Sequence, residues 1–132
     1  MAARQPALAH QQVRDRGGAE GRPIVSVQNL YNLADRKYSG VVDYCEKNGI
    51  GFIPWFPVAA GDLAKPGGKL DKLAARHGAT VAQLALAWLL HRSPVILPIP
   101  GTSSIPHLEE NTAATSLRLD DREWEEVEKR AA

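Results

Sequence analysis

The sequence predicts an α/β fold made of parallel strand–helix units. Three observations carry the prediction. Apolar, β-branched segments recur at residues 24–31, 50–56 and 95–99. Helical patterns stand between and after them, and each strand is followed by a helix before the next strand begins. Right-handed crossovers then make such strands parallel neighbours.

Ile24-Val-Ser-Val-Gln-Asn-Leu-Tyr31 is short and apolar enough for a buried strand. Residues 38–48 carry Val41, Val42, Tyr44 and Cys45 at helical spacing, and Asn48-Gly49 ends that helix as a left-handed C-cap. Ile50-Gly-Phe-Ile-Pro-Trp-Phe56 is the second strand, where Pro54 and Pro57 remove ladder donors near its C-terminal end. Residues 58–69, rich in Gly and Pro, form a long loop of the kind that often serves function. Residues 70–77 make a short helix closed by Gly78.

Thr80-Val-Ala-Gln83 is a capping box opening a helix over residues 81–92, which is apolar on nearly all sides and therefore buried. Ser93-Pro94 breaks it. Residues 95–99 are the third strand, apolar throughout as in a sheet covered by helices. A helix over residues 106–114 follows, and Asp120 to Glu123 repeats the capping-box logic before a last, charged helix around Trp124 and Val127.

The segment Pro98-Ile-Pro-Gly-Thr-Ser-Ser104 runs from a strand end into a helix start. Unpaired N–H groups and the positive end of the helix dipole make such a place suited to a phosphate. Residues 1–22 differ from the rest: they lack apolar periodicity, are net positive, and read as a poorly ordered leader. Asp15, Glu20 and the lack of Ser argue against an organelle transit peptide. The chain has 16 Lys+Arg against 15 Asp+Glu, so a partner held by bulk charge, such as duplex nucleic acid or an anionic membrane, is not expected. No apolar run approaches a bilayer span. The single Cys45 reads as a small buried hydrophobe, and the chain as a reduced, cytoplasmic protein. His77 and His91 read as helix-end residues, and no metal set is expected.

Four ordered motifs carry a family resemblance: Val25-Ser-Val-Gln-Asn-Leu-Tyr-Asn32, Phe52-Ile-Pro-Trp-Phe-Pro57, Gln83-Leu-Ala-Leu-Ala-Trp-Leu-Leu90, and Pro98 to Ser104 continuing through Leu108-Glu-Glu-Asn111. From about residue 23 the chain resembles the C-terminal part of an aldo-keto reductase, whereas the leader over residues 1–22 does not resemble the segment the family has there. The resemblance implies a partial TIM (β/α)₈ barrel, comprising strands six to eight with their helices and a C-terminal helix. It also implies NADP(H) as cofactor and hydride transfer to a small-molecule aldehyde or ketone.

By that resemblance Gln28 would meet the nicotinamide carboxamide and Trp55 would stack on its ring. Phe56, Pro57 and Val58 would line the pyrophosphate. Gly101, Thr102, Ser103 and Ser104 would cradle the 2′-phosphate, while Glu110 and Asn111 would meet the adenine. Many relatives carry Lys or Arg where this chain has Gly101 and His107, which makes the choice of NADPH over NADH less secure. Read without the family, the same residues have plainer roles. Gln28 would cap a strand end, Trp55 would fill the core, Thr102 to Ser104 would cap the next helix, and Glu110 and Asn111 would be solvated.

The family's catalytic Asp, Tyr, Lys and His come from the first half of the barrel, and no residue here matches them. Tyr31, Tyr38 and Tyr44 fall away from the family's tyrosine motif. The expectation is a truncated or frame-disrupted chain that keeps cofactor-binding segments, binds cofactor weakly or not at all, and is inactive alone. A non-catalytic nucleotide- or protein-binding module is the alternative, as is a gene fragment with no function. Three strands of an eight-stranded barrel leave open edges, so self-association is also expected.

Overall fold

The computed structural model describes residues 23–58, 67–68 and 70–131. Both the leader expected at residues 1–22 and most of the long loop after the second strand lie outside the described residues. Strand β1 (Ser26–Leu30) is followed by helix α1 (Ser39–Lys47), strand β2 (Gly51–Trp55), helix α2 (Asp71–Arg76) and helix α3 (Val81–Arg92). Helix α4 (Ile105–Ala113), a 3₁₀ turn at Ala114–Ser116 and helix α5 (Asp121–Ala131) complete the order.

The two strands pair in parallel, with Gln28 opposite Ile53 and Leu30 opposite Trp55. The expected third strand at residues 95–99 is corrected: it contributes a single parallel bridge, Ile96 to Phe52. Around that bridge Phe52 N–H donates to Val95 O at 2.8 Å, and Leu97 N–H donates to Phe52 O at 2.8 Å. The next donor on this side of β2 would come from residue 54. Pro54 has no N–H, so the ladder stops after one rung. On its other side β2 donates through odd-numbered residues, beginning with Gly51 N–H to Val25 O at 2.9 Å. The proline therefore leaves the β1–β2 pairing intact.

Successive strand side chains point to opposite faces. Phe52, Pro54 and Ile96 face the helices and are buried, with Val27 partly buried against them. Trp55, Leu97 and Ile99, on the opposite parity, are 47%, 61% and 45% exposed. This corrects the expectation of helices over the whole third segment: cover is confined to one side of the short sheet.

Helix α3 builds the covered side. Val81, Leu84, Ala85, Leu86, Ala87, Trp88 and Leu89 are all buried, as its nearly uniform apolar sequence predicts. The Trp88 ring stacks on Tyr31 at 5.7 Å between centroids, and Tyr31 meets Phe52 edge-on at 5.8 Å. Such pairs add to the area that aromatic side chains bury. Trp88 Nε1–H donates to Glu128 Oε1 at 2.9 Å, so the indole's polar atom is satisfied and α5 is fastened over α3.

Local punctuation follows the chemistry of the sequence. After α1, Gly49 has φ +64°, Gly49 N–H donates to Glu46 O and Ile50 N–H to Cys45 O, which is a Schellman closure. Gly78, at φ +60°, closes α2 in the same way through Ala75 O and Ala74 O. Thr80 caps α3, and the reciprocal bonds with Gln83 make a capping box. Asp120 and Glu123 exchange the equivalent bonds at 2.9 and 3.1 Å before α5. Cys45 is fully buried, and burial pushes its thiol pKa up.

His77 ends α2 and meets Glu123 at 2.9 Å, while His91 near the end of α3 stacks on Trp124 at 4.5 Å. Arg92 pairs with Asp43, joining α3 to α1. Burial alone would lower the Arg92 pKa, but its bonds to Asp43 and Tyr31 outweigh this and raise it.

Trp88→Ala removes the stack, the edge contact's support and the bond to α5. It is expected to destabilise the chain by about 3–5 kcal/mol, read as a fall in the urea midpoint. Glu126 accepts from Arg76 and Arg130, whose hydrogen bonds hold its carboxyl below the ordinary value of 4.5. Its contribution to stability is therefore present above that value and lost as pH falls through the lower folded one. Glu126→Gln should flatten the acid limb of a melting-temperature profile below pH 4.5, with little effect at neutral pH on the slope.

Candidate functional site

The C-terminal ends of β2 and of the Ile96 segment converge on one cleft. It has a volume of about 600 Å³ and is lined by Phe56, Pro57, Val58, Ala82, Ile99, Pro100, Gly101, Thr102, His107, Glu110 and Asn111. Eight of these were singled out from sequence: Phe56, Pro57, Val58, Gly101, Thr102, His107, Glu110 and Asn111. Ala82 was not, because nothing in its type marks it, and Ile99 and Pro100 entered only as part of the segment from Pro98 to Ser104. Ala82 is recruited by the approach of α3 to α4. Ser103 and Ser104 flank the cleft in the same loop, whereas Gln28 and Trp55 lie on the open face of the sheet.

The floor of the cleft begins with a backbone constraint. Phe56 has φ +60°, a left-handed conformation that is rare for a bulky side chain. Asn32 holds it there. Its side-chain amide donates to Phe56 O at 3.1 Å, while its Oδ1 accepts from Ala34 N–H at 2.9 Å and Asp35 N–H at 2.8 Å. Asn32 is only 2% exposed, so one buried amide ties the end of β1 to the turn after β2. The sequence showed Asn32 only as part of a motif. The available signal was a polar side chain one residue beyond an apolar strand.

The far wall is the start of α4. Ser104 is its N-cap but makes no side-chain cap bond, and Pro106 occupies the first turn. Thr102 Oγ1 instead accepts from Ser104 N–H at 3.1 Å. The hydroxyls of this loop are thus not spent on capping the helix, and the first turn of α4 borders the cleft through His107. His107, Glu110 and Asn111 are spaced to share one side of α4. Glu110 is not simply solvated. It accepts from Thr80 Oγ1 at 2.5 Å, and its carbonyl accepts from Gln83 Nε2 at 2.9 Å. No Lys or Arg is among the described residues lining the cleft.

Gln28 is exposed, and so is Trp55, at 47%. Trp55 is therefore not a core residue. Pairing puts Leu30 beside it and Ile53 beside Gln28, which sets both site candidates on the uncovered face.

A profile of the aldo/keto reductase family matches residues 10–132, so the match includes part of the segment before Pro23. The chain belongs to this family. An uncharacterized oxidoreductase of Schizosaccharomyces pombe, C215.11c, is 56% identical over 97 residues, covering 74% of this chain and 32% of that protein. The pyridoxine 4-dehydrogenase of Escherichia coli K12 is 50% identical over 96 residues, covering 73% and 33%. The chain thus spans about a third of the length of these curated relatives. A crystal structure of an aldo-keto reductase from Klebsiella pneumoniae in complex with NADPH superposes with a TM-score of 0.67 and 29% identity, covering 77% of this chain and 37% of that one. For an aldo-keto reductase, the short open sheet with helices on one side is part of a (β/α)₈ barrel, and the cleft lies at the C-terminal strand ends where such barrels carry their sites. Among the described residues, no helix is long and apolar enough to cross a membrane.

Asn32→Ala would leave Phe56 O and two backbone N–H groups without their buried partner. Such losses cost about 1–3 kcal/mol each where water cannot replace the bond. A destabilisation of about 2–3 kcal/mol in urea melts is expected, together with increased hydrogen exchange at Ala34 and Asp35.

Proposed function

We propose that this chain supplies the pyrophosphate, 2′-phosphate and adenine end of an NADP(H) site in an aldo-keto reductase. The observation that carries the reading is the cleft itself. Three stretches distant in sequence, after β2, after Ile96 and along α4, line one volume of about 600 Å³. That size is ordinary for a small-molecule site.

The residues present fit such a cofactor. Phe56, Pro57 and Val58 would line the pyrophosphate. Gly101, Thr102, Ser103 and Ser104 would meet the 2′-phosphate through hydroxyls and backbone N–H groups at the start of α4. His107 stands beside this loop in the lining of the cleft. Glu110 and Asn111 would meet the adenine. Gln28 and Trp55 would hold the nicotinamide on the open face, by a hydrogen bond to its carboxamide and by stacking. When bound, the cofactor supplies a hydride for an aldehyde or ketone. Likeness to an NADPH-bound reductase at 29% identity and to a dehydrogenase at 50% supports this oxidoreductase reading.

Carbonyl reduction also requires a proton donor beside the oxygen. By the family resemblance the catalytic tetrad comes from the first half of the barrel, so cofactor positioning is assigned to the residues here and proton transfer to that half. In a complete site Trp55 would fix the nicotinamide ring, and the cleft would anchor its adenosine phosphate. That division is the way remote binding holds a reacting group in place.

Titration of the full chain with NADPH tests the proposal. Trp88 and Trp124 are buried at 1% and 7% exposure, so cofactor stacking should act mainly on Trp55 emission. Saturable quenching is expected, and Trp55→Phe should abolish most of it. No quenching up to concentrations on the order of millimolar would overturn the cofactor assignment. NADPH consumption dependent on an added aldehyde, by this chain alone, would overturn the assignment of proton transfer elsewhere.

A further inference from the structure

Helix α3 touches the cleft through Ala82 in its first turn, beside the cap residue Thr80. Thr80 serves two partners with one hydroxyl. Its oxygen accepts from Gln83 N–H at 3.2 Å, closing the cap, and its hydrogen is donated to Glu110 Oε1 at 2.5 Å. Gln83 in turn accepts from Thr80 N–H at 2.9 Å and donates to Glu110 O at 2.9 Å. The capping box of one helix therefore grips both the side chain and the backbone of a single residue on the next.

We propose that Thr80 is a positioning residue for the adenine end of the cleft, acting through Glu110. This rests on the cofactor reading above. A carboxylate bound through one oxygen to a hydroxyl donor has lost much of its rotational freedom. With Oε1 engaged by Thr80, Oε2 is the oxygen left to accept from a purine's exocyclic amino group. The same bond keeps the negative charge of Glu110 drawn toward α3. That matters because the described lining offers no Lys or Arg to offset a carboxylate swinging toward a bound phosphate. Gln83 fixes the level of α4 by holding the Glu110 carbonyl, and Thr80 fixes the side chain. Thr80 thus sets discrimination at the base as well as affinity.

Two substitutions separate this role from simple helix capping. Thr80→Asp keeps an acceptor suited to an N-cap but has no hydrogen to give and repels Glu110. Thr80→Ser keeps both acceptor and donor. Affinities of the variant chains for NADPH and for its hypoxanthine analogue, which lacks the exocyclic amine, are measured by fluorescence titration, with melting temperatures in parallel. In the wild type NADPH should bind more tightly than the analogue. Thr80→Asp should weaken NADPH by about tenfold, the loss associated with one charged hydrogen bond, and bring the two ligands within about twofold of each other. Thr80→Ser should retain the wild-type ratio.

If the wild type binds NADPH and Thr80→Asp keeps the wild-type ratio, the positioning role is overturned while the cofactor reading stands, whatever happens to melting temperature. Loss of the ratio in Thr80→Ser as well would overturn it too, since the donor would be present without effect. A wild-type chain that binds neither ligand overturns the cofactor reading and this inference with it.

Discussion

The stack of Trp88 on Tyr31 is the interaction on which the rest of this structure depends. Tyr31 follows β1 directly, Phe52 lies in β2, and Trp88 comes from the middle of α3, so three aromatic rings join the sheet to its central helix. Apolar burial is the dominant favourable force in a chain of this size, and large rings contribute most of it per residue. Because that packing occupies one face of the strands, it decides by default which side chains are left on the other. Gln28, Trp55, Leu97 and Ile99 are available on the opposite face because Phe52, Pro54 and Ile96 are not.

Polar interactions of much smaller gross energy then determine the shape of the cleft. Asn32 holds Phe56 in a backbone conformation that the bare chain disfavours, and strain of this kind persists only where surroundings over-determine it. Thr80 and Gln83 act similarly between α3 and α4. In both cases one side chain near an element's end governs the geometry of a different element. The fold therefore has two tiers: apolar packing sets which face is covered, and buried or half-buried hydrogen bonds set where the loops stand.

Much of this was legible in the residues. Helix starts and stops were the clearest, because their signals are local: Gly49 and Gly78 in left-handed caps, Thr80 with Gln83, and Asp120 with Glu123. The first two strands lay where apolar, β-branched segments placed them, shortened at both ends. The third did not form a strand. Its composition was right, but its pairing depended on donors of β2, and Pro54 removes the one that would have carried the ladder on. Eight cleft residues were legible through ordered motifs. The links from Asn32 to Phe56 and from Thr80 to Glu110 were not, because their partners are 24 and 30 residues apart. Spacing of that length carries no periodic signal.

By itself, the sequence determined the order of elements, their caps, the apolar helix that must be buried, and the loop chemistry suited to a phosphate. These follow from backbone sterics, side-chain type and short-range periodicity, which act within a few residues. Only the tertiary structure decided that one face of the sheet stays open and that Trp55 stands exposed on it. It alone brought the turn after β2, the loop after Ile96 and one side of α4 around a common volume. Those outcomes depend on which distant surfaces compete for the same packing partner, and on which buried polar groups find each other once packing has brought them close.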